Sequence, residues 1–525
     1  MQLFNRATLH GMHPRPRRVY SAPVMRAAQR VTAGVVVEPV AVDCTVPQAV
    51  VSFCGGRHPA VLESSARTAG YGRFSILGSD PVDVLRVREP GACPIDLLAR
   101  RMAGLPGVES SPPGVPFVGG WIGFFSYESG LGLEGLRPGA PRDLPVPLAE
   151  FALYDSAAIF DHHCGRWLIM AVDWPAPFSS TRPTVKQRLE ILRTRLTHGS
   201  TLACTPPFES PSPVESMEHR CSPPAPGFCG EESAPPGDSR LGTASLSRHV
   251  YLARVAEARR HIEAGDIYQV NLSVRFCVPV SEETGTLYGR LRAANPSAFA
   301  AFLPRRDYAV LCASPELFLD LRDGRVISRP IKGTAPRTSD PVLDERARGH
   351  LASSEKDRAE LNMIIDLMRN DLGRVCRIGS VEVKDDGAIE AHPTVFHRVA
   401  TIAGKLGRGR AWSDLLTATF PGGSITGCPK IRAMQIIGKL EPTRRDVYCG
   451  SIGWIGLDGS MKMNIAIRTM LVCGGRAYVY AGGAIVADSV PDAEYEELLA
   501  KAAGMFQALN GAKAVHSQPH RELIA

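Results

Sequence analysis

A chain of 525 residues exceeds what one ordinary hydrophobic core organises, so more than one domain is expected. Hydrophobic residues at 44% and charged residues at 22% exclude disordered and fibrous classes and describe a soluble globular protein. The net charge of +7 does not mark a nucleic-acid surface, because Arg6, Arg15, Arg17, Arg18, Arg26 and Arg30 precede the first acid, Glu38, and the other 495 residues carry about +1.

The arginine-rich, acid-free segment 1–34 reads as an unstructured extension, an organelle-targeting peptide, or an over-long start with Met25 as the true first residue. From 35 to 198, short apolar runs alternate with glycine and proline. Gly119 to Glu128 and Phe151 to Asp155 read as strands and turns, and Thr184 to His198 as a helix. Residues 199–245 hold nine prolines and little that could form a core, so they read as a linker or surface insertion. A second domain is expected over 246–511, with a short tail at 512–525. Within it, helices are expected at His249–Ala264, Ser354–Arg374 and Pro491–Leu509. Strands are expected at Tyr268–Val278, in two pieces over Tyr308–Leu321, at Val447–Leu457 and at Ala477–Val486. Residues 87–118 and 129–150 carry no clear signal.

No apolar run reaches the ~18 residues of a membrane helix. The 13 cysteines are scattered without metal-ligand spacing, which fits a reducing cytoplasm and argues against structural zinc.

Several residues suggest chemistry. Lys332, in Pro330-Ile331-Lys332-Gly333-Thr334, follows a stiffening proline and precedes a glycine that lets backbone approach a ligand. A lysine there serves as a fixed charge or, if desolvated, as a nucleophile. Asp357 and Glu360 share one helical face, as do Glu494 and Glu497. Like charges three residues apart repel unless something neutralises them. Mg²⁺ is one solution, and a solvated helix face is the other. Pro421 to Lys430 is glycine-rich before a helix, and its amides could face an anion. Arg468 lies in an apolar stretch read as a strand, where its fork needs a carboxylate from substrate or protein.

Ser314-Pro315-Glu316-Leu317-Phe318, Pro330 to Thr334, Asp366 to Asp371, Gly427-Cys428-Pro429-Lys430 and the last-helix carboxylates together resemble the chorismate-utilising enzymes. The likeness covers 246–511 in order, and Val61-Leu62-Glu63-Ser64 and Gly72 to Gly78 are similar to the opening strands of component I enzymes. It implies an α+β fold of antiparallel sheets packed with helices. Position 332 separates the branches: anthranilate synthases typically have alanine there, and lysine resembles the aminodeoxychorismate synthases.

The resemblance implies that Lys332 attacks carbon 2 of chorismate while Glu316, as general acid, protonates the departing carbon 4 hydroxyl. Ammonia then attacks carbon 4 and expels the lysine. It implies Glu360 and Glu497 as direct Mg²⁺ ligands, with Asp357 and Glu494 acting through water. Tyr448, Arg468 and the Gly482 amide match positions that hold the enolpyruvyl carboxylate. Gln269 stands where isochorismate synthases have a water-activating lysine. His397 lies near the ring, Ser424 supplies the glycine-rich loop's hydroxyl, and Lys430 belongs to the chorismate site. Glu63 and Ser64 mark a possible tryptophan site. No glutaminase nucleophile motif is present, so the family implies a separate glutamine amidotransferase subunit that supplies ammonia for a 4-aminobenzoate and folate route. The alternative is amination by an anthranilate synthase component I.

Overall fold

The computed structural model describes residues 32–510, except 67–69, 89–90, 109–111, 181 and 202–241. The basic extension up to residue 31, most of the proline-rich stretch and the tail from 511 therefore lie outside the described residues.

Gly120–Phe125, Ala149–Tyr154 and Ser451–Gly456 are buried at every position, as strands covered on both faces require. They lie side by side in a ten-stranded sheet. A second, twelve-stranded sheet runs from Gly34–Val40 at one edge to Gly427–Cys428 at the other. Pairing within both sheets is antiparallel throughout the described strands.

Both sheets draw strands from either side of the proline-rich stretch. Ala60–Glu63 pairs with Phe299–Pro304, and Gly120–Phe125 with Ser451–Gly456. One hydrophobic cluster reaches from Ala33 to Ala508. The two-domain division expected from composition is thus a division of the chain, while the core runs across it. Composition sees a linker; it does not see which strand edges find each other.

Most expected elements form with small shifts. The helix Val185–Ser200 starts at a capping box in which Thr184 and Gln187 satisfy each other's backbone amides. Ser354 caps Glu355–Gly373 by accepting from the Asp357 amide at 3.2 Å. That helix packs on the strands Ile331–Pro336, Glu382–Ala391 and Val395–Lys405. The final helix, Pro491–Asn510, lies across Arg476–Ile485 and against the helices Arg248–Glu263 and Thr284–Ala294. Helices Pro94–Ala103 and Pro341–Ser353 were not legible in the sequence.

One buried charge holds the two parts of the chain together. Glu150 is fully buried and accepts from Arg86 Nε at 2.5 Å, from Tyr308 Oη at 2.9 Å and from Arg305, with His58 at 3.1 Å. Burial alone would push its carboxyl up, but His58, Arg305 and Arg86 outweigh it and hold the group well below the usual carboxylate range. A depressed acid contributes stability that is complete above the unfolded value of ~4.3 and lost as pH falls. Glu150→Ala leaves Arg305 buried and unpaired, at an expected cost on the order of 3–5 kcal/mol. Denaturant midpoints at neutral pH and at pH 3 check this: the difference between the parent and the variant shrinks at the lower pH.

Candidate active site

The site forms where the chain crosses between sheets. Ala309–Ser314 belongs to the twelve-stranded sheet and Leu317–Arg322 to the ten-stranded one, so Glu316 sits in the crossing. The return crossing, 465–468, lies beside it: the Ile465 amide donates to the Glu316 carbonyl at 3.1 Å, and Ser314 Oγ to the Ile465 carbonyl at 2.6 Å. Arg468 occupies a bend with φ +49, not the apolar strand expected from its neighbours. A chain leaving one sheet for another must break the alternating pattern, and this residue is where it breaks.

Lys332 lies on Ile331–Pro336, the edge strand of the ten-stranded sheet. Its pairing with Val395–Lys405 slips between Ile331 and Thr334, an irregularity of the kind that re-aims side chains. Gly333 follows at φ +82. A Cβ there would lie 2.8 Å from Asp357 Cγ and 2.9 Å from Leu351 Cδ1, so glycine lets this strand touch the carboxylate helix.

Ser424, in the short helical turn Gly423–Ile425, joins acid to amine. Its hydroxyl donates to Glu316 Oε1 at 2.6 Å, and its carbonyl accepts from Lys332 Nζ at 3.0 Å. Burial pushes the Glu316 carboxyl up to about 7, against the opposing pull of Ser424 and Lys332. Burial, helped by Lys501, lowers the Lys332 amine from its usual value, while Glu360, Glu316 and Glu497 act the other way. Among the described residues Lys332 forms no ion pair. A proton-bearing acid and a depressed amine on one serine are what nucleophilic attack with leaving-group protonation needs. Ser424→Ala removes the donor that favours the carboxylate, so the Glu316 titration is expected to move up. A pH–rate profile whose alkaline limb shifts to higher pH checks this.

His397 faces Thr334 across the strand pair, with Nδ1 2.9 Å from the Thr334 hydroxyl. Burial, with His392 and Arg468 adding to it, holds the ring well below its usual range and hence neutral. Tyr448 stacks on Tyr480 with centroids 5.3 Å apart and planes at 15°. Gly482 stands opposite Ser273, and a Cβ on it would reach 2.7 Å from the Leu272 carbonyl. Arg468 donates to Asn295 Oδ1 at 3.1 Å and has no carboxylate partner among the described residues, leaving its fork for an acid from outside. Gln269 is fully buried, and both its side-chain polar atoms lack a partner among the described residues.

The two long helices bring their carboxylates towards the site. Glu494 is buried; Oε1 accepts from Ser489 Oγ at 2.7 Å and Lys356 Nζ at 3.3 Å, while Oε2 has no partner among the described residues. Glu497 pairs with Lys501 at 2.6 Å. A Cβ on Gly483 would lie 3.5 Å from Glu494 Oε2, 3.6 Å from Lys501 Nζ and 3.9 Å from Glu497 Oε1, so these groups ring a glycine cradle. Burial raises Glu360, and the charge of Glu497 adds to that against Lys332 and Lys356. Burial works against ionisation of Glu497 too, but Lys501 overcomes it and leaves this acid below its usual range. No three His, Cys, Asp or Glu side chains among the described residues gather tightly enough to hold a metal as they stand. The donors are nonetheless all hard oxygens, one buried and unpaired, and that chemistry fits Mg²⁺ with retained waters. Lys356 and Lys501, absent from the sequence reading, offset the acids here; an i, i+4 Glu-to-Lys spacing at 497 and 501 was the signal for one of them.

Two expected sites are otherwise engaged. Lys430 turns inward to Asp371 and to the Thr419 carbonyl at 2.9 Å, so it braces two helices and is not among the residues gathered at the site. Lys430 closes the glycine-rich loop and opens the helix Lys430–Leu440. Glu63 is tied to Arg292 and, at 2.7 Å, to Tyr288, and Ser64 Oγ donates to the Phe74 and Ala298 carbonyls. The polar groups expected at a tryptophan site are here satisfied by the protein itself.

Fold and site together define an α+β enzyme in which a buried carboxyl and a desolvated amine meet on one serine. A family model described as "chorismate binding enzyme" matches residues 69–507, and the chain belongs to that family. It is 38% identical to aminodeoxychorismate synthase component 1 of Salmonella typhimurium over 84% of this chain and 90% of that one. It is 37% identical to anthranilate synthase component 1 of Streptomyces coelicolor, covering 86% and 84%. Among solved structures, anthranilate synthase component I from Streptococcus pneumoniae superposes with a TM-score of 0.66 at 30% identity, over 83% of this chain and 92% of that one. A menaquinone-specific isochorismate synthase from Escherichia coli shares the fold, with a TM-score of 0.63 at 15% identity over 91% and 95%. No described helix is long and apolar enough to cross a membrane.

Proposed function

We propose that this chain is an aminodeoxychorismate synthase component I, forming 4-amino-4-deoxychorismate from chorismate and ammonia. The observation that carries the reading is Lys332: an amine depressed by burial, without an ion pair among the described residues, and joined through Ser424 to an acid whose carboxyl is pushed up to about 7. An anthranilate synthase site needs no lysine there. Several relatives at 36–38% identity carry the aminodeoxychorismate synthase name, though anthranilate synthases match almost as well.

In the proposed sequence, the neutral Lys332 nitrogen bonds to carbon 2, both double bonds of the ring diene shift by one position around the ring, and the carbon 4 hydroxyl leaves as water with the proton of Glu316. Ammonia then bonds to carbon 4, both double bonds return, and the carbon 2–nitrogen bond breaks to release Lys332. Two successive displacements restore the diene and put nitrogen at carbon 4. Arg468, Tyr448 and the Gly482 amide orient the enolpyruvyl carboxylate, and His397 borders the ring. Gln269, a neutral amide, disfavours water addition at carbon 2.

Glu360 and Glu497 directly, and Asp357 and Glu494 through water, would hold Mg²⁺, which when bound supplies charge that offsets a substrate carboxylate. Ammonia comes from a separate glutamine amidotransferase subunit, a reading supported by the "component 1" in the relatives' names. Product analysis with chorismate, Mg²⁺ and an ammonium salt tests the function. The para-amino product is expected, anthranilate would assign the chain to the other branch, and glutamine should support turnover only with the partner present.

A further inference from the structure

Behind the substrate tyrosine lie two carboxyls that the mechanism does not use. Glu128, in the helix Tyr127–Leu133, is buried and accepts from the Arg445 amide at 3.0 Å. Asp446, also buried, holds φ +53 and accepts from Tyr480 Oη at 3.2 Å. The Tyr127 amide donates to the Asp446 carbonyl at 2.8 Å, so helix and turn are stitched from both sides. The same turn carries Tyr448, whose amide donates to the Arg445 carbonyl at 3.0 Å, and ends at Cys449 with φ +61. Tyr480, held by Asp446, is the ring on which Tyr448 stacks. Two left-handed residues flank a tyrosine fixed by this network, and such strain persists only where surroundings enforce it.

Neither carboxyl has an ion-pair partner among the described residues. Around Glu128 the charged groups are Asp446 and Arg444; around Asp446 they are Asp143, Arg275, Arg444 and the Tyr480 hydroxyl. Arg275 is taken up by Asp143, and the guanidinium of Arg445, stacked over Tyr127, by Glu441. Burial raises both acids above the usual carboxylate range, and the charge of Asp446 raises Glu128 further.

We propose that Glu128 and Asp446 are positioning residues for Tyr448, a buried clamp that holds only while one of the two carboxyls keeps its proton. When both ionise they repel in a dry site, the Arg445–Cys449 turn loosens, and the Tyr448–Tyr480 stack loses its support. The consequence is weaker chorismate binding at alkaline pH, with no part in bond making. This rests on Tyr448 as a substrate contact and on chorismate as the ligand, and not on which carbon is aminated.

The test is direct binding of chorismate to the full chain by calorimetry from pH 6.5 to 9.5, with turnover measured in parallel. In the parent, Kd is expected to rise by up to about tenfold per pH unit once the second carboxyl ionises. Glu128→Gln keeps the acceptor oxygen without the charge, and Asp446→Asn keeps a residue type that tolerates positive φ. Each should flatten the alkaline rise while leaving Kd near pH 7 and kcat within about twofold, well inside 1.4 kcal/mol. Profiles for both variants parallel to the parent's overturn the clamp, as does a parent Kd that does not change with pH. Failure to bind chorismate at any pH would instead count against the functional reading.

Discussion

Lys332→Ala is expected to lower formation of the 4-amino product by at least about 10³-fold with saturating chorismate and ammonia, because the covalent route loses its nucleophile. The strand should survive. The hydrogen bond of Lys332 goes to a main-chain carbonyl, and among the described residues its removal breaks no ion pair. Circular dichroism and an unchanged denaturant midpoint would establish that. Without the lysine, ammonia has the space near carbon 2, so a trace of ortho-amino product is expected in its place. An alanine variant that makes the para product at the parent rate would contradict the nucleophile assignment.

Glu316→Gln has the second largest expected effect. The amide fills the same volume between Ser424 and the crossing backbone but has no proton to give the leaving hydroxyl. A loss of roughly 10²–10⁴ in kcat is expected, with the affinity for chorismate little changed. The pH dependence supplies an independent sign. Burial places the Glu316 carboxyl at about 7, so it is mostly protonated below that value and ionised above it. The parent rate should therefore fall on the alkaline side, by about tenfold per pH unit where this group alone governs. The glutamine variant should lose that limb. The requirement on Lys332 is the reverse, since only its neutral form attacks, and the two demands together give a bell-shaped profile. For stability, a buried acid with a raised value favours folding at low pH, and its contribution turns against the fold as pH rises towards 7.

Much of this was legible in the sequence. The helices carrying the paired acids could be read from capping residues and spacing, and Ser354 and Pro491 start them where the pattern indicates. Ser424 lies 108 positions from Glu316 and 92 from Lys332, and only the fold brings it within hydrogen-bond reach of both. Their roles were therefore readable through family resemblance and not through spacing. The interleaving of the sheets was invisible for the same reason: Ala60–Glu63 carries no mark of pairing with a strand more than 200 residues on. The apolar neighbours of Arg468 predict a strand, while its backbone is set by the return crossing. The resemblance assigns Lys430 to the chorismate site, while a buried lysine needs a carboxylate and Asp371 provides it.

Glu128 and Asp446 show a different limit. Nothing in Ser126-Tyr127-Glu128 marks an acid that will be sealed beneath the turn carrying Tyr448, more than 300 positions later. Their meaning appears only once Tyr448 and Tyr480 are stacked in place.

The most direct measurement is the mass of the peptide containing Lys332 after rapid acid quench of the enzyme with chorismate and Mg²⁺ in the absence of ammonia. A covalent addition equal to chorismate less one water, carried by Lys332, lost on later addition of ammonia and missing from Lys332→Ala, is the predicted result. Unmodified peptide throughout, in a preparation that converts chorismate and ammonia to the para-amino product, would contradict the account.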